Sequence, residues 1–115
     1  PTIVTGVSQR SEMVQHEVFG PVVTLQRVDD VDDAIRCAND VDYALGASIF
    51  TRDVNHAMLA AQRLQAGTVW INDHGAVSAE MPWGGGKQSG HGRERSVFAL
   101  DAYTQVKHVM VRLSS

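Results

Sequence analysis

Apolar and polar positions along the 115 residues change period several times. Residues 2–7 (TIVTGV) read as a short strand or extended arm, and residues 11–15 as one helical turn. Residues 22–28 alternate and end in acid, which predicts a strand. Residues 29–41 (DDVDDAIRCANDV) place Val31, Ala34, Ile35 and Ala38 on one helical face, with carboxylates where a helix N-terminus favours them. Residues 46–51 (GASIFT) form a short apolar run. Asp53 caps a second expected helix, with Met58, Ala61 and Leu64 facing inward and Gly67 near its end. Residues 68–72 (TVWIN) are another apolar strand.

The order strand, helix, strand, helix, strand predicts an α/β fold: a parallel βαβαβ core with right-handed crossovers. Short apolar strands without clean alternation suit a sheet buried on both faces. Residues 73–93 follow as a long Gly-rich loop, and loops of that length in a compact unit are usually functional or disordered. A helix is expected over residues 93–103, then an alternating strand over residues 104–113 (TQVKHVMVRL).

Composition narrows the classes. Hydrophobic residues make up 43% and charged residues 20%, ordinary for a soluble globular chain. A net charge of -3 gives no support for nucleic-acid or membrane-surface binding. No apolar run approaches the roughly 20 residues needed to span a bilayer. Cys37 is the single cysteine, so no intrachain disulfide forms, which fits a reducing, cytoplasmic setting.

The stretch EMPWGGGKQSGHGRE (80–94) invites a phosphate-loop reading, but G-x-x-x-x-G-K-[ST] requires glycine where Met81 stands and Ser or Thr where Gln88 stands. A structured turn fits better, since glycine lets backbone approach backbone or ligand closely. His16, His56, His74, His91 and His108 are scattered without metal-ligand spacing, so no metal site is expected. Cys37, among small and apolar helix residues, reads as a packed thiol. Nothing selects a triad from Ser78, His74 and Asp73.

Three stretches in order carry a resemblance. HEVFGPV (16–22) resembles the E-[IV]-F-G-P-V motif of the aldehyde dehydrogenase superfamily. NDVDYALGASIFT (39–51) is similar to N-x-x-x-Y-G-L-A-A-x-[IV]-[FW]-T. AGTVWIND with PWGGGKQSGHGRE is similar to G-x-[VC]-x-[IV]-N followed by P-[FWH]-G-G-x-K-x-S-G-x-G-[RK]-[ED]. The run Tyr43-Ala44-Leu45-Gly46-Ala47 and the small Gly86 are local departures. Within the superfamily, EMPWGGGKQSG and ALDAYTQVKHVMV look most like 4-aminobutyraldehyde and betaine aldehyde dehydrogenases.

The resemblance implies NAD-dependent oxidation of an aldehyde to an acid, through a thiohemiacetal and a thioester. It implies that residues 1–103 are the C-terminal part of the catalytic domain and residues 104–115 an oligomerisation strand and tail. The catalytic cysteine, the general base and the Rossmann-like domain would then lie in the rest of a longer polypeptide. Cys37 matches none of them, so the segment alone would be inactive and carries no catalytic residue. Implied partners are a small aldehyde, the rest of the enzyme and copies of the same chain. Glu17 matches the glutamate on the nicotinamide ribose, whose vicinal hydroxyls suit two carboxylate oxygens. Phe19 matches the residue beside the nicotinamide ring. Trp83 matches a position lining the aldehyde tunnel, where an indole face attracts an ammonium group. Read alone, Glu17 is a solvated acid, Phe19 a core aromatic, and Trp83 equally a loop-packing residue. Asn72 is expected to end the strand and bond loop backbone, and Lys87, Ser89, Arg93 and Glu94 to hold the loop to the body. A non-catalytic self-association module and an unrelated binding domain are the alternative readings.

Overall fold

A computed structural model describes residues 1–113. Eight elements follow one another: β1 (Thr2–Thr5), α1 (Glu12–Gln15), β2 (Val22–Leu25), α2 (Val31–Asn39), β3 (Gly46–Ile49), α3 (Val54–Arg63), β4 (Thr68–Ile71) and α4 (Ala99–Tyr103). The α/β class and the parallel pairing are as expected, but a continuous βαβαβ sheet is not. β2 pairs with β1, in register Thr2 with Val22. β3 pairs with β4, in register Gly46 with Thr68. The result is two separate two-stranded parallel sheets, because β1 takes one edge of β2 and no ladder joins β2 to β3.

The two central helices start where carboxylate caps predict. Asp30 accepts from the Asp33 backbone N–H at 2.8 Å, and Asp53 accepts from that of Asn55 at 2.7 Å. Their carboxylates and guanidinium groups cross-link locally: Arg36 bonds Asp33, and Arg63 reaches Asp32 on the neighbouring helix. Asn39 ties α2 to the end of α3, donating to the Arg63 carbonyl and accepting from the Gln65 N–H, both at 2.8 Å.

The core lies between α2, α3 and the approach to β3. Its buried apolar residues are Ile35, Ala44, Ala57 and Ala60. Along α3 the expected inward face holds at Leu64 but moves by one position earlier, from Met58 and Ala61 to Ala57 and Ala60. Ala57, Ala60 and half-buried Leu64 face inward, while Met58 is 52% exposed. Small alanines allow close approach, whereas Met58 and Ala61 look outward.

Two expectations near the C-terminus change. The helix over residues 93–103 shortens to α4, because Arg95 (φ 60) and Ser96 (φ 52) take left-handed backbone that a right-handed helix cannot continue through. Among the described residues, 104–113 pair with no strand, and they are exposed throughout. A strand needs a neighbour to accept its ladder, and none of the described strands lies beside them. The molecule measures 77 × 33 × 23 Å, with a radius of gyration of 19.5 Å. A compact chain of similar length has roughly 13 Å. Among the described residues, no helix is long and apolar enough to cross a membrane.

Candidate functional site

The HEVFGPV stretch links α1 to β2 through two tight turns. Gly20 N–H donates to the Val18 carbonyl and Val22 N–H to the Gly20 carbonyl, both at 2.8 Å. Pro21 between them fixes φ and has no N–H to satisfy. This turn pushes Phe19 outward, where it is 94% exposed. Glu17 is also exposed, and among the described residues its carboxylate makes no hydrogen bond or ion pair.

The Gly-rich loop is fastened to the body at almost every turn. Trp83 and Glu94 exchange backbone hydrogen bonds of 2.9 and 2.7 Å, closing the loop on itself. Lys87, itself left-handed (φ 49), sends its Nζ to the carbonyls of Asn39 (2.7 Å) and Val41 (3.0 Å). Ser89 Oγ accepts from the Ala44 N–H at 3.0 Å, and Arg93 Nη1 donates to the Gly85 carbonyl at 2.7 Å. Asn72 (φ 56) ends β4 and clasps Thr51, accepting from its N–H at 2.8 Å and donating to its carbonyl at 2.9 Å. Lys87 and Ser89 thus hold the loop to the body as expected, and Asn72 bonds the Thr51 backbone, whereas Arg93 and Glu94 bond within the loop itself, Glu94 through its main chain.

The glycines serve close backbone approach. A Cβ on Gly67 would stand 1.7 Å from the Gly84 carbonyl oxygen, and one on Gly85 would stand 2.6 Å from Ser89 Cβ. The loop N–H groups of Gly86 and Gln88 donate to the carbonyls of Ala44 and Asp42, so they are not turned toward an anion.

Glu17 and Trp83, distant in sequence, line one cleft of about 490 Å³. Tyr43, Trp70, His74 and Ser89 share it, and its lining contains one carboxylate, Glu17, and neither lysine nor arginine. A second cleft of about 420 Å³, lined by His16 and Tyr43 among others, also reaches Glu17. Phe19 lines neither. Cys37 is half-buried on α2, beside Arg36 and Asp33, and does not line the cleft. The imagined triad is not assembled. His74 bonds Ser48, while Ser78 donates to Glu80, and that bond holds the Glu80 carboxyl below its ordinary range. Among the described residues, no three His, Cys, Asp or Glu side chains cluster as metal ligands.

Sequence reasoning missed Trp70 and His74. The Trp70 ring lies 5.9 Å from Trp83 and 5.3 Å from His74. Strand alternation carried the signal for Trp70: it points with Thr68 to the face opposite Val69 and Ile71. His74 had none, since it lies in the loop after β4 and its partner Ser48 sits on β3.

The aldehyde dehydrogenase family profile matches residues 1–109. An aldehyde dehydrogenase of Emericella nidulans is 47% identical over 113 residues, covering 98% of this chain and 23% of its own. Human aldehyde dehydrogenase 1A1 is 42% identical, covering 99% of this chain and 23% of its own. Thus the chain spans less than a quarter of the length of these curated relatives. Among solved structures, betaine aldehyde dehydrogenase from Staphylococcus aureus, a double mutant in complex with NAD+, superimposes with a TM-score of 0.88 at 43% identity. It covers 93% of this chain and 22% of that one. Indole-3-acetaldehyde dehydrogenase of P. syringae, in complex with NAD+ and IAA, gives 0.87 at 40% identity, covering 96% and 22%. On motif order, sequence identity and shared fold together, the chain belongs to the aldehyde dehydrogenase family.

Proposed function

We propose that these residues form part of an enzyme that oxidises an aldehyde, an aminoaldehyde or betaine aldehyde, to its acid with NAD. The observation that carries this reading is the shared cleft of Glu17 and Trp83. The free Glu17 carboxylate, with no partner among the described residues, fits a ribose diol: two oxygens can accept from two vicinal hydroxyls. Phe19, exposed on the same turn, would pack beside the nicotinamide. Bound NAD would supply the hydride acceptor. Trp83, with Trp70 and Tyr43, would form the wall against the aldehyde's substituent. A cleft with three Trp and Tyr rings, one carboxylate and neither lysine nor arginine favours an ammonium group. The pinned loop would keep that wall rigid, which spares the ordering cost on binding. The NAD+ complexes of the S. aureus and P. syringae relatives support the cofactor, and the first of these supports the substrate class.

In this reading the nucleophile and base lie outside these residues, and Cys37 is structural. The test compares this chain with the complete protein carrying it. Each is incubated with NAD and 4-aminobutyraldehyde or betaine aldehyde, and NADH absorbance is followed. The complete protein turns over and this chain does not. Turnover by the chain that vanishes on Cys37→Ser contradicts the reading.

A second reading, self-association, rests on a different observation: Val106, Val109, Met110, Val111 and Leu113 are all exposed large apolar side chains. In that reading residues 104–113 gain a ladder from another copy. It is compatible with the enzyme reading in the complete protein and stands without it if this chain acts alone.

A further inference from the structure

The cleft's two tryptophans are not held by the loop alone. Ser48 and Trp70 are register partners on adjacent parallel strands, so their side chains share a face. Ser48 Oγ and His74 Nδ1 are 2.6 Å apart, a hydrogen bond in which either atom can donate. The His74 ring in turn lies 5.3 Å from the Trp70 ring at an interplanar angle of 57°. The other end of the indole is fixed too, since Trp70 Nε1 donates to the Ala76 carbonyl at 2.7 Å. Beneath the ring, Gly46 leaves the space: a Cβ there would come 2.7 Å from Trp70 Cζ3. Trp83 packs 5.9 Å from the ring so seated. His74 is exposed, and so is not held in place by burial. Among the described residues, the Ser48 bond is the one hydrogen bond its ring makes.

We propose that His74 is a positioning residue: bonded to Ser48, it holds Trp70 against Trp83 and thereby sets the cleft's preference for ammonium-bearing ligands over neutral ones. The preference part rests on the reading of Trp83 given above, while the positioning part does not. A ring quadrupole attracts a cation only over its face, so a tilted or mobile indole loses cation affinity faster than it loses apolar contact. Truncating the support should therefore change selectivity, an effect that general loss of packing would not produce.

Trp70 and Trp83 are the chain's only two tryptophans, so indole signals report this pair alone. Exciton-coupled circular dichroism reads their mutual geometry, and fluorescence quenching reads binding of tetramethylammonium against tert-butanol. The wild-type chain is compared with Ser48→Ala, Ser48→Thr and His74→Phe. The expected result is a wild-type couplet that collapses in Ser48→Ala and persists in Ser48→Thr. Tetramethylammonium binding falls roughly three- to tenfold in Ser48→Ala, with tert-butanol binding unchanged. His74→Phe keeps ring bulk without the bond and should behave as Ser48→Ala does. It also carries the test if Ser48→Ala loses its far-UV spectrum. An unchanged couplet in either folded variant overturns the positioning role. A couplet that responds as expected, in a chain that never binds tetramethylammonium saturably, supports the positioning role and overturns the cation reading of Trp83.

Discussion

Gly67 is where one methyl group would do most harm. Its Cβ would meet backbone, the Gly84 carbonyl oxygen, rather than a side chain that could swing away. Gly67→Ala should cost about 3 kcal/mol, the upper part of the range for overpacking. Gly86→Ala, whose nearest neighbour would be the Ala44 Cβ at 3.8 Å, should be nearly neutral. Urea midpoints followed by tryptophan fluorescence compare the two, and equal losses would remove the close-approach explanation of this loop. For the chemistry, Trp83→Ala in the complete protein should lower kcat/KM for betaine aldehyde more than for 3,3-dimethylbutanal. Both substrates lose wall contact, but only the cation loses about 0.5–2 kcal/mol of ring attraction. Equal losses would leave Trp83 as packing. Glu17, Phe19 and Trp83 were legible because motif letters name them. That Glu17 and Trp83 share a cleft which Phe19 does not line was not legible, since it depends on where a turn and a distant loop meet.

The helices announce themselves through their caps, and one cap, Asp53, and one first-turn carboxylate, Asp33, carry a pH signature. The Asn55 backbone N–H holds the Asp53 carboxyl below its ordinary range, and the Arg36 guanidinium does the same for Asp33. Each folded value lies below the unfolded one. Their contributions are therefore complete above the unfolded value, near 3.8, and are lost as pH falls through the folded value. Helical ellipticity should drop on the acid side of that value, and Asp53→Asn, which keeps a capping oxygen without a titrating one, should lessen the drop. An identical acid profile in that variant would dissociate Asp53 from it. Asp30→Ala, losing the α2 cap, should cost about 1 kcal/mol. The short α4 shows where pattern reading fails. Apolar spacing over residues 93–103 says nothing of φ, and Arg95 and Ser96 turn left-handed as the chain joins the Trp83–Glu94 bridge. Likewise, spacing gave the α3 period but not its phase. The faces of Ala57–Ala60 and Met58–Ala61 are both apolar, and only packing against α2 chooses between them.

The chain is long and thinly cored, with two strand pairs whose outer edges are unpaired among the described residues and a run of exposed apolar side chains toward its end. Such edges and apolar runs favour association. Sedimentation at one high concentration should show larger mass for the intact chain than for one ending at Tyr103. Equal behaviour would clear residues 104–113 of that role. The pairing of strands was the part of the fold least legible in sequence, because four-residue strands specify parallel neighbours without saying which. The reading that joins sequence, cleft and family is that Glu17 holds the nicotinamide ribose, and single-turnover hydride transfer tests it most directly. The complete protein carrying Glu17→Gln is mixed with saturating NAD and aldehyde, and the first burst of NADH is timed. Loss of a charge-assisted bond, about 1.5–3 kcal/mol, predicts a burst slowed by roughly ten- to a hundredfold, with NAD affinity changed far less. A burst as fast as that of the unsubstituted protein would contradict the assignment.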